Sequence, residues 1–274
     1  MFTATAMPTK SPFPSGKFAA ATLDQDGHRC GYVHSVETGA AVDGPGVRFV
    51  LFLSGCQFRC LYCHNPDTWK LHNGMLLTVD DVVAQIGSYA PFLRLAGGLT
   101  ISGGEPLLQA GFVREVFTQV KQRHGLHTTL DTQGFLATRL PDSWFDPVDL
   151  VLLDIKHIDA ARYRQITGQP LQPTLDFAAR LIRLGKPFWV RYVLVPGLTD
   201  DAAHIAQLAG HLQALASQRP GCLQRVEVLP FHKMGETKWQ ALGLRYSLTS
   251  TPEPSPAAVD AARAIFSAHG LACC

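Results

Sequence analysis

The sequence has no apolar stretch approaching the ~20 residues that a membrane-spanning helix requires, so no membrane partner is expected. It also has almost no charge excess. Its 24 Lys and Arg against 22 Asp and Glu leave a formal net charge of +2. So balanced a chain offers no general electrostatic attraction for nucleic acid. Residues 1–30 lack any sustained apolar run and are rich in Pro, Ser, Thr, Ala and Gly. A secretory signal needs such a run, so this segment reads as a flexible extension ahead of one domain, residues 31–274. Cysteine is too scarce and too uneven for a disulfide framework: seven is an odd count, and the chain is not small. A reducing compartment, the cytoplasm, is expected.

What is present starts with a 46% hydrophobic content, enough for a sizeable core. Cys56, Cys60 and Cys63 then form a single run, C-Q-F-R-C-L-Y-C, just after an apolar strand-like segment. Thiolates are the usual ligands of iron–sulfur clusters, and a four-iron cluster ordinarily takes four of them. Three close thiols with no evident fourth suggest a cluster with one open iron. The run also fits half of a zinc site, which His64 would complete as a Cys3His set. Against a closed zinc site, Cys30, Cys222, Cys273 and Cys274 make no second C-x-x-C.

Short segments rich in Val, Ile, Leu and Thr recur at residues 47–53, 99–102, 127–131, 150–155, 188–195 and 225–230. Helical candidates lie at 79–89, 106–124, 175–184, 201–218 and 257–269, with Thr78 and Thr199 as N-cap candidates. Residues 247–256, with three prolines, read as a second flexible stretch. Alternating strands and helices imply an α/β fold with parallel strands and right-handed crossovers. Six units fall short of a full eight-fold barrel. A partial (β/α)6 TIM-like barrel is expected, with function at the C-terminal strand ends.

Several residues sit at those ends. Gly103-Gly104 closes the second strand, as an ordinary turn or to let a ligand approach the backbone. Asp131 and Asp154 on their own fit ordinary strand-end carboxylates that cap the next element. Arg191 lies in an otherwise apolar strand, where an unpaired charge is costly. It is therefore inward-facing and paired, or it faces the opening of the site. Lys156 alone reads as solvated, and His232 as a satisfied loop histidine.

Larger blocks carry a resemblance. The Cys triad followed by Ile101-Ser102-Gly103-Gly104-Glu105-Pro106 resembles the radical S-adenosylmethionine (SAM) enzymes. D-G-P-G-V-R-F from Asp43, C-L-Y-C-H-N-P-D-T-W from Cys60 and L-D-T-Q-G-F from Leu130 resemble the glycyl radical activases of the pyruvate formate-lyase type. So do L-D-I-K from Leu153, V-R-Y-V-L-V-P-G from Val190 and L-P-F-H from Leu229. The blocks keep that family's order and span residues 31–271. Pro106 follows the wider superfamily pattern, and the N-terminal extension and Cys273-Cys274 lie outside the family pattern.

The resemblance implies a partial (β/α)6 barrel that binds a [4Fe–4S] cluster through Cys56, Cys60 and Cys63. SAM would be held by Tyr62, Cys63, His64, Gly103, Gly104, Glu105, Asp154, Ile155, Lys156 and His232. A monovalent cation, Na+ or K+, would sit among Asp131, Thr132, Leu152 and Asp154. Asp43 and Arg191 would contact the substrate peptide. The implied reaction is reductive cleavage of SAM and abstraction of a glycine Cα hydrogen from a glycyl radical enzyme such as pyruvate formate-lyase. Flavodoxin or ferredoxin would donate the electron to a monomeric activase. The segment 70–78 is short and has no cysteine, which argues for the single-cluster type. A radical SAM enzyme acting on another glycyl radical enzyme or on a small molecule is the near alternative. A structural zinc module is the distant one.

Overall fold

The computed structural model describes Gly27 and residues 29–274, so most of the expected extension lies outside the described residues. Among them are eight strands in one open sheet: β1 (Cys30–Ala40), β2 (Val47–Leu53), β3 (Met75–Thr78), β4 (Gly97–Gly103), β5 (His127–Thr132), β6 (Leu150–Asp154), β7 (Phe188–Leu194) and β8 (Leu223–Pro230). Their spatial order is β3-β1-β2-β4-β5-β6-β7-β8. The six strands from β2 to β8 in that order pair in parallel, which gives the expected partial barrel.

Two antiparallel strands, β1 and β3, extend one edge and were not expected. β1 mixes polar and apolar residues, and β3 is only four residues long and partly exposed. At the other edge, residues 272–274 run alongside β8: Val226 N donates to Ala272 O at 2.8 Å and Val228 N to Cys274 O at 2.9 Å. The Cys273-Cys274 pair thus covers backbone that would otherwise be an open edge.

The helices are α1 (Val79–Gly87), α2 (Ala90–Ala96), α3 (Ala110–His124), α4 (Ala160–Thr167), α5 (Gln172–Leu184), α6 (Ala202–Gln218), α7 (Glu236–Ala241) and α8 (Pro256–Ala268). Thr78 caps α1 in a reciprocal capping box with Asp81. Thr199 does not cap α6. Its hydroxyl is taken by Val193 O and Val195 N, and Asp201 accepts from His204 N instead. The stretch 247–256 is pinned rather than loose: Leu248 is buried, and Thr249 bonds Glu236 and accepts from Lys233. Its last proline begins α8 behind the Ser255 cap, where a missing N–H costs nothing.

The period-2 alternation of a strand explains what the sheet presents on each face. Leu51, Leu53, Val113, Phe117, Val151, Leu153, Val190 and Leu208 pack in the main core with the helices. The alternate positions form a polar inner wall. Asp154 pairs in register with Arg191, and Arg191 with Glu227, across β6, β7 and β8.

Candidate active site

At the C-terminal ends of the parallel strands lies a cavity of ≈ 410 Å³. Its lining includes Cys56, Cys60, Cys63, Tyr62, His64, Gly103, Gly104, Asp131, Asp154, Lys156, Arg191, His232 and Asp43. Of the expected site residues, Glu105, Thr132, Leu152 and Ile155 do not line it and are almost fully buried.

The cysteine loop leaves β2 and is held by backbone bonds. Gly55 N donates to Thr68 O at 2.6 Å, Cys56 N to Trp69 O at 3.2 Å, and Glu105 N to Gly55 O at 2.8 Å. The last bond ties the loop to the Gly103-Gly104 turn. Gly103 has φ +118°, and a Cβ on Gly104 would lie 2.2 Å from Gly55 O. The paired glycines therefore let the two loops touch. An effect of Gly104→Val confined to ligand entry, the simplest expectation for a lining glycine, does not follow, because the cysteine loop itself would be displaced.

Cys56, Cys60 and Cys63 are free thiols. Burial pushes the Cys56 thiol well above its ordinary pKa and the Cys60 thiol up to about 12, the latter against the pull of Lys156. Burial also raises Cys63, opposed by hydrogen bonds from the Asn65 backbone and the Trp69 side chain. Three dry thiols on one cavity need a cationic group to become thiolates. Among the described residues, no three His, Cys, Asp or Glu side chains are placed to share one metal ion. His64 instead meets His232 edge to face, with ring centroids 4.8 Å apart, so the Cys3His zinc set is not assembled. The other four cysteines are outside the cavity lining. Three thiols spread around a cavity, without a fourth, fit a [4Fe–4S] cluster with one open iron.

The opposite wall is charged. Lys156 Nζ lies 2.8 Å from Asp154 Oδ2 and 5.7 Å from the centroid of the Tyr62 ring. Burial works against the Lys156 charge, yet Asp154 and Cys60 more than offset it and its pKa is raised. Burial lifts the Asp131 carboxyl to about 6, against the opposing pull of Arg191. Asp131 Oδ2 accepts from Ser102 at 2.6 Å and Arg191 at 3.3 Å, while buried Oδ1 has no partner. The Tyr62 hydroxyl is likewise buried and unpartnered. Both are orphaned polar atoms on the cavity, as expected where a polar ligand completes the site.

The expected cation ligands divide. Asp131 and Asp154 line the cavity, but the Thr132 hydroxyl is committed to Glu105 Oε1 at 2.6 Å and accepts from Gly134 N at 3.0 Å. Glu105 is a brace: it also accepts from Leu107 N and Gln133 N, and burial raises its pKa to about 7.

Arg191 is both paired and facing the cavity. Its guanidinium lies 3.3 Å from Asp131, 3.4 Å from Glu227 and 3.6 Å from Asp43, and donates to Val42 O at 2.9 Å. The Asp43 loop is shaped by Arg48, which is fully buried. Arg48 donates to Thr100 Oγ1 at 3.0 Å, Thr129 Oγ1 at 2.9 Å and Pro45 O at 3.3 Å, and Thr100 in turn donates to Asp43 O at 2.6 Å. Sequence reasoning gave Arg48 and Glu227 no role. The signal was available: each is a charge at an inward position of an apolar strand.

The residues 50–209 match the model of the radical SAM superfamily. The pyruvate formate-lyase-activating enzyme of Staphylococcus aureus (strain USA300) is 42% identical over 240 residues, 85% of this chain and 93% of that protein. A domain of the pyruvate formate-lyase-activating enzyme of Bacteroides vulgatus superposes with TM-score 0.52 at 23% identity, over 65% of this chain and 98% of that one. A radical SAM methyltransferase from Sphaerobacter thermophilus superposes with TM-score 0.59 at 17% identity, over 92% and 74%. These two likenesses bear on the fold.

Proposed function

The chain belongs to the radical SAM superfamily and, within it, to the family of the pyruvate formate-lyase-activating enzymes, and on that premise we propose how its own residues install a glycyl radical on pyruvate formate-lyase. The observation that carries the reading is the convergence of three free cysteines, Cys56 and Cys60 buried and Cys63 half-buried, with Gly103-Gly104, Lys156 and Asp131 on one cavity. When bound, the [4Fe–4S] cluster supplies the electron that cleaves SAM reductively, and SAM supplies the radical that takes a hydrogen atom from a glycine Cα.

Cys56, Cys60 and Cys63 would hold the cluster through their three thiolates. The Gly103-Gly104 backbone receives the methionine end. The orphaned Asp131 Oδ1 is a natural acceptor for a cationic group, whether the ammonium of SAM or a Na+ or K+ shared with Asp154. Lys156 is aimed by Asp154 and complements a carboxylate. Tyr62, His64 and His232 enclose the adenosine side. Asp43 and Arg191 orient the peptide that carries the glycine, since hydrogen transfer needs the reacting carbons roughly 3–3.5 Å apart. The apolar surroundings of the cysteine loop, Phe58, Leu171 and Tyr163, keep water away.

Flavodoxin or ferredoxin is the proposed electron donor to a monomeric enzyme. The free cysteines support a reducing compartment, the cytoplasm. No helix among the described residues is long and apolar enough to cross a membrane. The reading is tested by anaerobic reconstitution with iron and sulfide, followed by SAM and reductant. Four irons per chain and release of 5′-deoxyadenosine are expected. Zinc uptake without iron, or a loaded protein that leaves SAM intact, contradicts it.

A further inference from the structure

Resting on the reading that Asp43 orients the substrate peptide, we propose that Arg48 is a positioning residue for hydrogen transfer, holding the loop 41–46 from inside the barrel so that SAM cleavage stays coupled to radical formation on the partner. Arg48 is the second residue of β2 and is fully buried. It does not line the cavity, whereas Val42 and Asp43 do. Its effect on the reaction therefore passes through the loop.

The loop lies between two guanidinium groups. From β2, Arg48 Nη1 donates to Pro45 O at 3.3 Å. From β7, Arg191 Nη2 donates to Val42 O at 2.9 Å, and Arg191 Nη1 lies 3.6 Å from Asp43 Oδ1. Between them Thr100 Oγ1, on β4, donates to Asp43 O at 2.6 Å. The carbonyls of Val42, Asp43 and Pro45 are thus each held by a side chain of the barrel wall. That leaves the Asp43 carboxylate fixed at the cavity.

Arg48 is itself held from several sides. Its Nε donates to Thr100 Oγ1 at 3.0 Å, and its Nη2 to Thr129 Oγ1 at 2.9 Å and His127 O at 3.2 Å. One planar fork therefore ties β2, β4 and β5 to the loop. Gly44 makes room for it: a Cβ there would lie 3.3 Å from Arg48 Nε, at φ +128°. Burial lowers the Arg48 pKa to about 10, so the group is still a cation at neutral pH. Desolvating a cation is costly, and an apolar side chain would fill the same space without that cost. What the guanidinium adds is direction. A lysine keeps the charge, but its donors share one nitrogen and cannot span Pro45, Thr100 and Thr129. With the loop loosened, the glycine is misplaced and SAM is consumed without a radical on the partner.

The test uses the full chain, reconstituted anaerobically, as wild type, Arg48→Lys, Thr100→Val and the control Thr128→Val. Thr128 is equally buried, and its hydroxyl donates to Pro147 O, away from the loop. Two quantities are read: 5′-deoxyadenosine released per glycyl radical formed on pyruvate formate-lyase, and hydrogen–deuterium exchange of residues 41–46 in the free protein. Arg48→Lys is expected to raise the ratio about 10- to 100-fold, since a misplacement of ~1 Å far from the chemistry costs on the order of 100-fold. Loop exchange should quicken with it. Thr100→Val keeps the volume, loses the bonds to Asp43 O and Arg48 Nε, and should move both readings in the same direction. Thr128→Val should match wild type in both, whatever it loses in stability. A merely structural role lowers cleavage and radical formation together and leaves the ratio unmoved. An iron-loaded Arg48→Lys protein with the wild-type ratio overturns the proposal. If that variant takes up no iron, Thr100→Val decides alone, and a wild-type ratio there overturns it equally. So does a rise of the same size in Thr128→Val, which marks a general loss of packing. A wild-type protein that cleaves SAM and leaves the partner without a radical overturns the underlying reading, and this proposal with it.

Discussion

Arg191 and Glu227 occupy paired register positions on β7 and β8, and the Arg191 Nε lies 3.4 Å from Glu227 Oε2. The pair belongs to a group that also includes Asp43 and Asp131, all three carboxylates lying within 3.6 Å of the one guanidinium, while Glu227 has a second partner in Arg225 at 3.2 Å. Removing the cation leaves Asp43 and Asp131 without their counter-charge and Glu227 with Arg225 alone, which is far costlier than losing an exposed pair.

Arg191→Met is therefore expected to destabilise the fold by about 3–5 kcal/mol. The penalty should shrink as the carboxyls protonate. The midpoint of urea unfolding, followed at pH 7 and pH 5, checks both the size and the trend.

Asp43 borders the cavity but takes a weaker share of Arg191, at 3.6 Å. Asp43→Ala is expected to leave reductive cleavage of SAM within about twofold of wild type. Glycyl radical formation on the partner should fall by at least tenfold, or about 1.4 kcal/mol of lost positioning. Parallel loss of both reactions would move Asp43 out of the peptide-binding role.

Glu105 should give stability a distinct pH dependence. Its folded pKa is raised to about 7 by burial, above the ordinary 4.5. A raised carboxyl stabilises the fold most when protonated, below the unfolded value. That contribution is lost as pH rises through about 7. The scale is roughly 3 kcal/mol for a shift of this size. Wild type should therefore lose stability relative to Glu105→Gln between about pH 4.5 and 7, with the difference level above pH 8. Chemical unfolding of both proteins across that range reads it directly.

Lys156→Ala should weaken SAM binding more than folding. The ammonium is held 2.8 Å from Asp154, and its loss removes one charge-assisted hydrogen bond worth about 1.5–3 kcal/mol. Calorimetry should show a dissociation constant raised about 10- to 150-fold. Gly104→Val should behave differently. Its side chain strikes the Gly55 carbonyl and the Cys56 Cβ, so iron content itself should fall.

The six parallel strands were legible because burial on both faces turns them into apolar runs such as Leu150–Leu153 in β6. β1 was not legible, because its half-exposed residues mix Ser35, Glu37 and Thr38 with apolar ones, and β3 was not, because it is four residues long. The cysteine loop and the glycine turn were visible as spacing. The clamp of α7 was not: Trp239 meets Cys63 across 176 positions of sequence, and six residues carry no periodicity. The same holds for Glu105. As a carboxylate beside two glycines it reads as a ligand group, and only the fold shows it turned to Thr132 and two backbone amides. Thr199 was the cap expected from the sequence, and Asp201 takes its place because Val193 at the end of β7 claims the threonine hydroxyl.

The central claim is that this chain, with its three cysteines intact, installs a glycyl radical on a partner of the pyruvate formate-lyase type. The direct measurement is electron paramagnetic resonance of that partner after anaerobic incubation with the reconstituted protein, SAM and reductant. A doublet-split organic radical on the partner is expected with wild type and none with Cys60→Ala. A wild-type protein that holds its cluster and cleaves SAM yet leaves the partner without a radical, or an active Cys60→Ala protein, would contradict the claim.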